Sequence, residues 1–198
     1  MNVDPIMYSY LLQIKNYDLN TYFHCCRVAS ISAFIGRSID LTAAELQTLN
    51  MSAYLHDIGK IQVPKSIINN PGKLDSWEWA TMKKHPVSGA DLLKQVMDSD
   101  VIKGINSHHE RWDGEGYPYN LKGESIPLTG RIIAVADAFD AMTSHRPYKS
   151  RKEFSSAVNE IIEHQDSQFD PYIVNRVVRL PLNIFFGGVY PPGRFAQI

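Results

Sequence analysis

Cysteine is nearly missing from this chain: Cys25 and Cys26, side by side, are the only two in 198 residues. That excludes a disulfide framework and any CxxC-type metal or redox motif, and leaves the pair as small apolar fillers of a helix in a reducing compartment. Net charge is nearly missing too. Twenty Lys and Arg against 21 Asp and Glu leave −1 at pH 7, which excludes polymeric nucleic acid as a partner bound through a broad basic surface. A small anion held by a few local cations remains compatible with that balance. No run approaches the roughly 18 apolar residues of a membrane span. The start, with Asp4 and Pro5, lacks the basic segment and apolar run of a secretory signal. A cytoplasmic protein is the expectation. Alternating strand-like runs, internal repeats and low-complexity linkers are missing as well, which excludes a β-rich fold or a repeat array.

What the chain does have is helical periodicity and histidine. The length and the 44% apolar fraction suit one domain with a sizeable core. Apolar spacing predicts helices over 6–14 and 21–37, the second with Tyr22, Cys25, Ala29 and Ala33 on one stripe and His24 beside it. Thr42 to Glu45 reads as a capping box opening a helix that delivers His56 and Asp57 near its end, with Gly59 as the stop. A helix over 76–84 breaks at His85-Pro86, resumes over 87–97, and is followed by another over 101–109. Trp77 and Trp79 are expected to be packing residues. The loop 110–128 is long for a connector, which favours a functional role. Thr129 is expected to cap a helix from Arg131 to Met142. Ser150 to Glu153 is a second capping box, for a helix running to about His164. Asp170-Pro171 starts a last helix, to about Leu180. The fold class is all-α, one domain, with an irregular tail over 181–198.

The chemistry gathers in histidines and aspartates at helix ends: His24, His56-Asp57, His85, His108-His109 and Asp137. Each has a plainer alternative, since a histidine at a helix C-terminus suits the dipole and His24 could be a satisfied core residue. His145 and His164 read as surface or supporting residues. Asp137 stands out because it interrupts the apolar run Ile132 to Ala136, where a buried carboxylate needs a cationic partner. Neighbouring helical side chains diverge by about 100°, so His108 and His109 are expected to reach two different ions. Seven ligands exceed the need of one ion, and two ions sharing a bridging carboxylate is the economical arrangement.

These residues fall into recognisable blocks: His56-Asp57-Ile58-Gly59-Lys60, then His108-His109-Glu110-Arg111-Trp112-Asp113-Gly114-Glu115-Gly116-Tyr117-Pro118. His24-x-x-Arg27-Val28, Lys84-His85-Pro86, Ala136 to Ala141 and Arg146-Pro147-Tyr148 agree in type and order. Over about residues 20–180 the chain resembles the HD-GYP family, a branch of the HD-domain metallophosphohydrolases. The resemblance implies a cyclic di-GMP phosphodiesterase whose catalytic domain spans 20–180, behind a helical segment over 1–19. It implies metal ligation by His24, His56, Asp57, His85, His108, His109 and Asp137, with Asp57 bridging two divalent ions. Iron or manganese are the first expectation; zinc or nickel would also suit the donors. Asp57 and Lys60 would be catalytic. Lys60, Arg111, Gly116, Tyr117, Pro118, Arg146 and Lys149 would contact substrate, and the Gly116-Tyr117-Pro118 loop would meet partner proteins. Products would be pGpG and then GMP, through water activated between the ions. Two positions depart from the family pattern. Asn20 replaces the acidic residue of three-metal members, which argues for two ions. His145 stands where Asp is common. A slow cyclic di-GMP sensor and a hydrolase of another cyclic dinucleotide are the competing readings.

Overall fold

The structure is a computed structural model that describes residues 4–144 and 152–179. Ten α-helices are found among them: α1 (Pro5–Tyr17), α2 (Leu19–Ser38), α3 (Ala43–Leu55), α4 (Lys65–Ile68), α5 (Ser76–Met82), α6 (His85–Leu93), α7 (Ser99–Ser107), α8 (Leu128–Thr143), α9 (Phe154–Glu163) and α10 (Pro171–Val177). No strand occurs among the described residues, only an isolated bridge between Gln165 and Phe169, as the all-α reading expects. None of the described helices is long and apolar enough to cross a membrane.

Local chemistry sets the helix starts. Asp4 accepts from the N–H groups of Ile6 and Met7 and is followed by Pro5, so α1 opens with its orphan donors satisfied. Thr42 and Glu45 form the expected box on α3, and Asp75 and Glu78 form another on α5. Asp170 caps α10 through Tyr172. Thr129 does not cap: the Pro127 carbonyl already accepts from Arg131, so α8 starts at Leu128 with Thr129 inside it. The second box does not form as expected: α9 begins at Phe154, so Glu153 is not three places inside it, and Ser150 and Arg151 lie outside the described residues. Glu153 holds the N-cap position of α9 without a side-chain cap bond.

Helix α2 is the hub, packed against α1, α3, α8 and α10. One apolar cluster joins Val28, Ile31 and Ile35 of α2 to Leu49 of α3, Ile132, Ile133 and Phe139 of α8, Ile161 of α9 and Ile173 of α10. A second joins Met7, Leu11 and Ile14 of α1 to Cys25, Leu55, Ile58, Leu93, Val101 and Ile105. Both clusters draw on α2 and α3, and the buried polar residues His24, His56 and Asp57 emerge from the same two stretches.

Three expectations need correcting. Gly59 is not a helix stop: α3 ends at Leu55, and Gly59 sits in a 3₁₀ turn over Ile58–Gln62. A Cβ there would lie 2.0 Å from the His85 carbonyl oxygen and 2.6 Å from the Gly89 nitrogen, so glycine is needed to let this turn press against α6. The break before α6 falls at Lys83-Lys84, and His85 and Pro86 open α6, where proline's missing N–H costs nothing. Trp77 and Trp79 are not packed: they are 68% and 47% exposed, because α5 buries none of its seven residues. The irregular tail over 181–198, Leu180 and residues 145–151 lie outside the described residues.

Gly59→Ala should cost about 1–3 kcal/mol or more of stability, as overpacking against rigid backbone does. Urea unfolding of the two proteins measures it, and an unchanged midpoint would count against this close approach.

Candidate metal centre

Three helix ends each deliver one histidine in the same way. The Nδ1–H of His56 donates to the Ala53 carbonyl at 2.8 Å, that of His85 to Met82 at 2.8 Å, and that of His108 to Ile105 at 2.6 Å. Those carbonyls belong to the last residues of α3, α5 and α7, where backbone acceptors lack partners within the helix. A carbonyl can only accept, so in each ring the proton is on Nδ1 and Nε2 carries a lone pair. The pattern alone does not make a ligand: His164 bonds the Glu160 carbonyl similarly, yet it is exposed and belongs to no metal-capable group.

The Nε2 atoms converge. Those of His85 and His108 are 3.1 Å apart, and both rings are buried. Burial pushes the His85 imidazole down to about 3 and that of His108 well below the ordinary histidine range. Neither is protonated near neutrality, so two lone pairs face each other at contact distance. The His56 Nε2 and Asp57 Oδ1 are buried with no hydrogen-bond partner, although the His85 Nε2 lies 3.2 Å from that oxygen. Buried acceptors aimed at one another are unfavourable unless a cation lies among them. The donor set therefore fits a metal, and two groups can hold one: His85, His108 and His109; and His24, His56 and Asp57.

The second group is anionic. The His24 Nε2 is 3.1 Å from Asp137 Oδ1 and 3.6 Å from Asp57 Oδ2, while its Nδ1 donates to Asp140 at 2.7 Å. Burial alone would lower the His24 imidazole, but its bonds to Asp137 and Asp140 raise it to about 9. Burial likewise works to raise both aspartates, and the bond from His24 holds each below the usual carboxylate range. The Lys60 ammonium lies 2.6 Å from Asp57 Oδ2. Against burial, Lys60 and His56 keep Asp57 well below its ordinary value, and Asp57 raises Lys60 in return.

All seven expected ligands thus come together, with two corrections of detail. His108 and His109 do not diverge: their ring centroids are 4.1 Å apart and both join His85 in one group. The helical 100° rule does not apply, because α7 ends at Ser107 and the chain turns as it leaves. Asp137 is not the fully buried carboxylate. It is 19% exposed and faces the cleft, whereas Asp140 is completely buried.

Asp140 is a residue that the sequence reading missed as part of the site. Besides His24 it accepts Arg27 Nε at 2.6 Å and the Ser144 hydroxyl at 2.7 Å. The signal was present: His24 and Arg27, and Asp137 and Asp140, are both three residues apart and so share a helix face. Glu110 was quoted only as part of a motif. Its carboxylate accepts the Tyr119 and Leu121 N–H groups at 2.7 and 3.0 Å, which pins the 110–128 loop.

That loop walls a cleft of about 600 Å³ lined by His108, His109, Asp137, Arg111, Gly116 and Tyr117 among others. The Tyr117 ring stacks on His109 at 4.8 Å and 28°, and burial raises its phenol. Pro118 follows through a cis peptide bond. Arg111 is engaged in a two-point pair with Asp113, at 3.1 and 2.6 Å. Asn20 is exposed in the first turn of α2. Arg146 and Lys149 lie outside the described residues.

Comparison with known proteins agrees with this architecture. The HD domain family matches residues 11–173. The cyclic di-GMP phosphodiesterase response regulator RpfG of Xanthomonas campestris is 39% identical over 156 residues, 77% of this chain and 41% of that protein. The 3′3′-cGAMP-specific phosphodiesterase 2 of Vibrio cholerae is 36% identical over 172 residues, 85% of this chain and 33% of that protein. The chain spans less than half the length of either. The crystal structure of a cyclic GMP-AMP specific phosphodiesterase of V. cholerae superposes with a TM-score of 0.71 at 25% identity, covering 94% of this chain and 50% of that one.

Two outcomes follow from the donor geometry. Adding a divalent ion to chelator-stripped protein should raise its melting temperature, with about 2.7 kcal/mol of stabilisation at a hundredfold excess over Kd. Scanning calorimetry with and without metal reads this directly. Asp140→Ala, which removes the carboxylate buried against the His24 and Arg27 side chains, should cost about 3–5 kcal/mol and lower the bound metal measured by elemental analysis.

Proposed function

The chain belongs to the HD domain family, and on that footing we propose that it hydrolyses the phosphodiester bonds of a cyclic dinucleotide. Cyclic di-GMP is the substrate we assign first, opened to pGpG and then cut to GMP. The observation that carries this reading is the set of unpartnered buried acceptors, His56 Nε2 and Asp57 Oδ1, beside the facing Nε2 atoms of His85 and His108 at the edge of a ligand-sized cleft. The resemblance to the HD-GYP branch and the names of the relatives supply the substrate class.

We assign His24, His56, Asp57 and Asp137 to one divalent cation, and His85, His108, His109 and Asp57 to a second. Asp57 as the shared ligand is supported by its contacts with His24, His56 and His85. Imidazole and carboxylate donors suit iron or manganese first, and zinc or nickel after them. Bound there, such ions supply Lewis acidity and make water a nucleophile at neutral pH. The residues of the chain do the rest. Asp140 and three backbone carbonyls fix four of the five histidine rings, so those donors are held in place before charge develops. Lys60, on the Asp57 carboxylate, is positioned to offset negative charge on phosphoryl oxygens. Asp137 stays anionic at the cleft face and can accept a hydrogen bond from water. Arg111, Gly116, Tyr117 and Pro118, with Arg146 and Lys149, are assigned to the substrate. The Gly116-Tyr117-Pro118 loop is assigned to partner proteins as well, since Tyr119 beside it is exposed. The catalytic unit is assigned to residues 20–180, working in the cytoplasm.

One observation favours a second reading. A relative covering 85% of this chain is named for 3′3′-cGAMP, so a mixed purine cyclic dinucleotide belongs in the substrate panel.

Anaerobically purified protein should carry close to two metals per chain and turn over cyclic di-GMP. Asp57→Ala and His109→Ala should each lose at least about 100-fold in rate, beyond what disturbing supporting residues costs, together with bound metal. Full activity in both variants would end the proposal.

A further inference from the structure

The aromatic character of the cleft does not stop at Tyr117. Its ring meets Trp79 of α5 edge-on, with centroids 6.4 Å apart and planes at 76°. A run of rings thus leads outward from His109 through Tyr117 to Trp79. Trp79 lines the cleft, yet it remains 47% exposed on a helix that buries nothing. An indole nearly half exposed beside a polar cleft offers aromatic surface to whatever enters it. Lys83, one turn on, also lines the cleft and holds its ammonium 6.0 Å from the Trp79 ring. It makes no ion pair with any described residue. An aromatic face flanked by an unpaired cation is the pairing that single nucleotides stack on, because every base has a π-face and every nucleotide an anionic edge.

Resting on the hydrolase reading above, we propose that Trp79 is a substrate-binding residue: one base of the cyclic dinucleotide stacks on its indole while a phosphate is held at the histidine cluster. A base is separated from its phosphate by the sugar, and the Tyr117 ring stands between His109 and Trp79, in contact with both. Lys83 adds a positive charge beside that indole. Trp77, 68% exposed on the same short helix, is not among the cleft-lining residues and serves as the internal control.

The test uses metal-loaded full chain and steady-state kinetics on cyclic di-GMP and 3′3′-cGAMP. Trp79→Ala should raise KM about tenfold or more, the order lost when a stacking aromatic is removed, with kcat and metal content close to those of the parent. Trp79→Phe, which keeps a ring, should restore most of the loss, and Trp77→Ala should leave both constants alone. Two results overturn the inference while leaving the hydrolase reading intact. One is a Trp79→Ala KM that rises less than the Trp79→Phe comparison can separate. The other is a loss that falls on kcat or metal content and is shared by Trp79→Phe, which would make the residue a prop for Tyr117. Parent protein that cleaves neither dinucleotide would instead remove the hydrolase reading, and this inference with it.

Discussion

Imidazole has two nitrogens and, when neutral, one proton, and this protein settles where that proton goes by using unfinished helices. The last turn of an α-helix has carbonyls with no partner in the helix. His56, His85 and His108 each turn back onto one such carbonyl, three residues earlier. Once Nδ1 is committed, each Nε2 must present a lone pair, and burial keeps those of His85 and His108 from capturing a proton. The cleft, the loop and the surrounding helices are arranged around a place where several acceptors meet and little but a cation can stand.

The two halves of this place are chemically unlike. His85, His108 and His109 form a neutral, all-nitrogen group, whereas His24 stands among Asp57, Asp137 and Asp140. Asp57 touches both. Its negative charge is countered by Lys60 from the same 3₁₀ turn, and that turn is pressed onto α6 by the missing side chain of Gly59. Packing between one glycine and a backbone carbonyl therefore sets the distance between the HD pair and His85.

Much of this was legible in the sequence, and the misses have physical causes. Helix starts at Thr42 and Asp170 were readable because capping is local chemistry. The residues that gather in the cluster were readable because histidines and aspartates at helix ends are few and fall in blocks. The convergence of His108 and His109 was not, since it depends on α7 ending at Ser107, two residues early, and helix ends are where periodicity loses its hold. Asp140 was hidden beside Asp137: the sequence marks an anomalous acid in an apolar run, but only packing decides which of two carboxylates faces the cleft. Trp77 and Trp79 are expected to pack because tryptophan is highly buried on average. Whether a helix as short as α5 is covered by anything depends on the tertiary arrangement.

The locks on the four best-held rings differ in kind. At His56, His85 and His108 the partner is main chain, so any amino acid at positions 53, 82 or 105 offers the same oxygen. At His24 it is the carboxylate of Asp140, which a single codon change can abolish, shorten or neutralise. Sequence drift can therefore adjust the electron-donating strength of one ring while the other three stay insulated from it. In a lineage that explores new metals or new rates, the pair formed by positions 24 and 140 is where heritable variation has purchase.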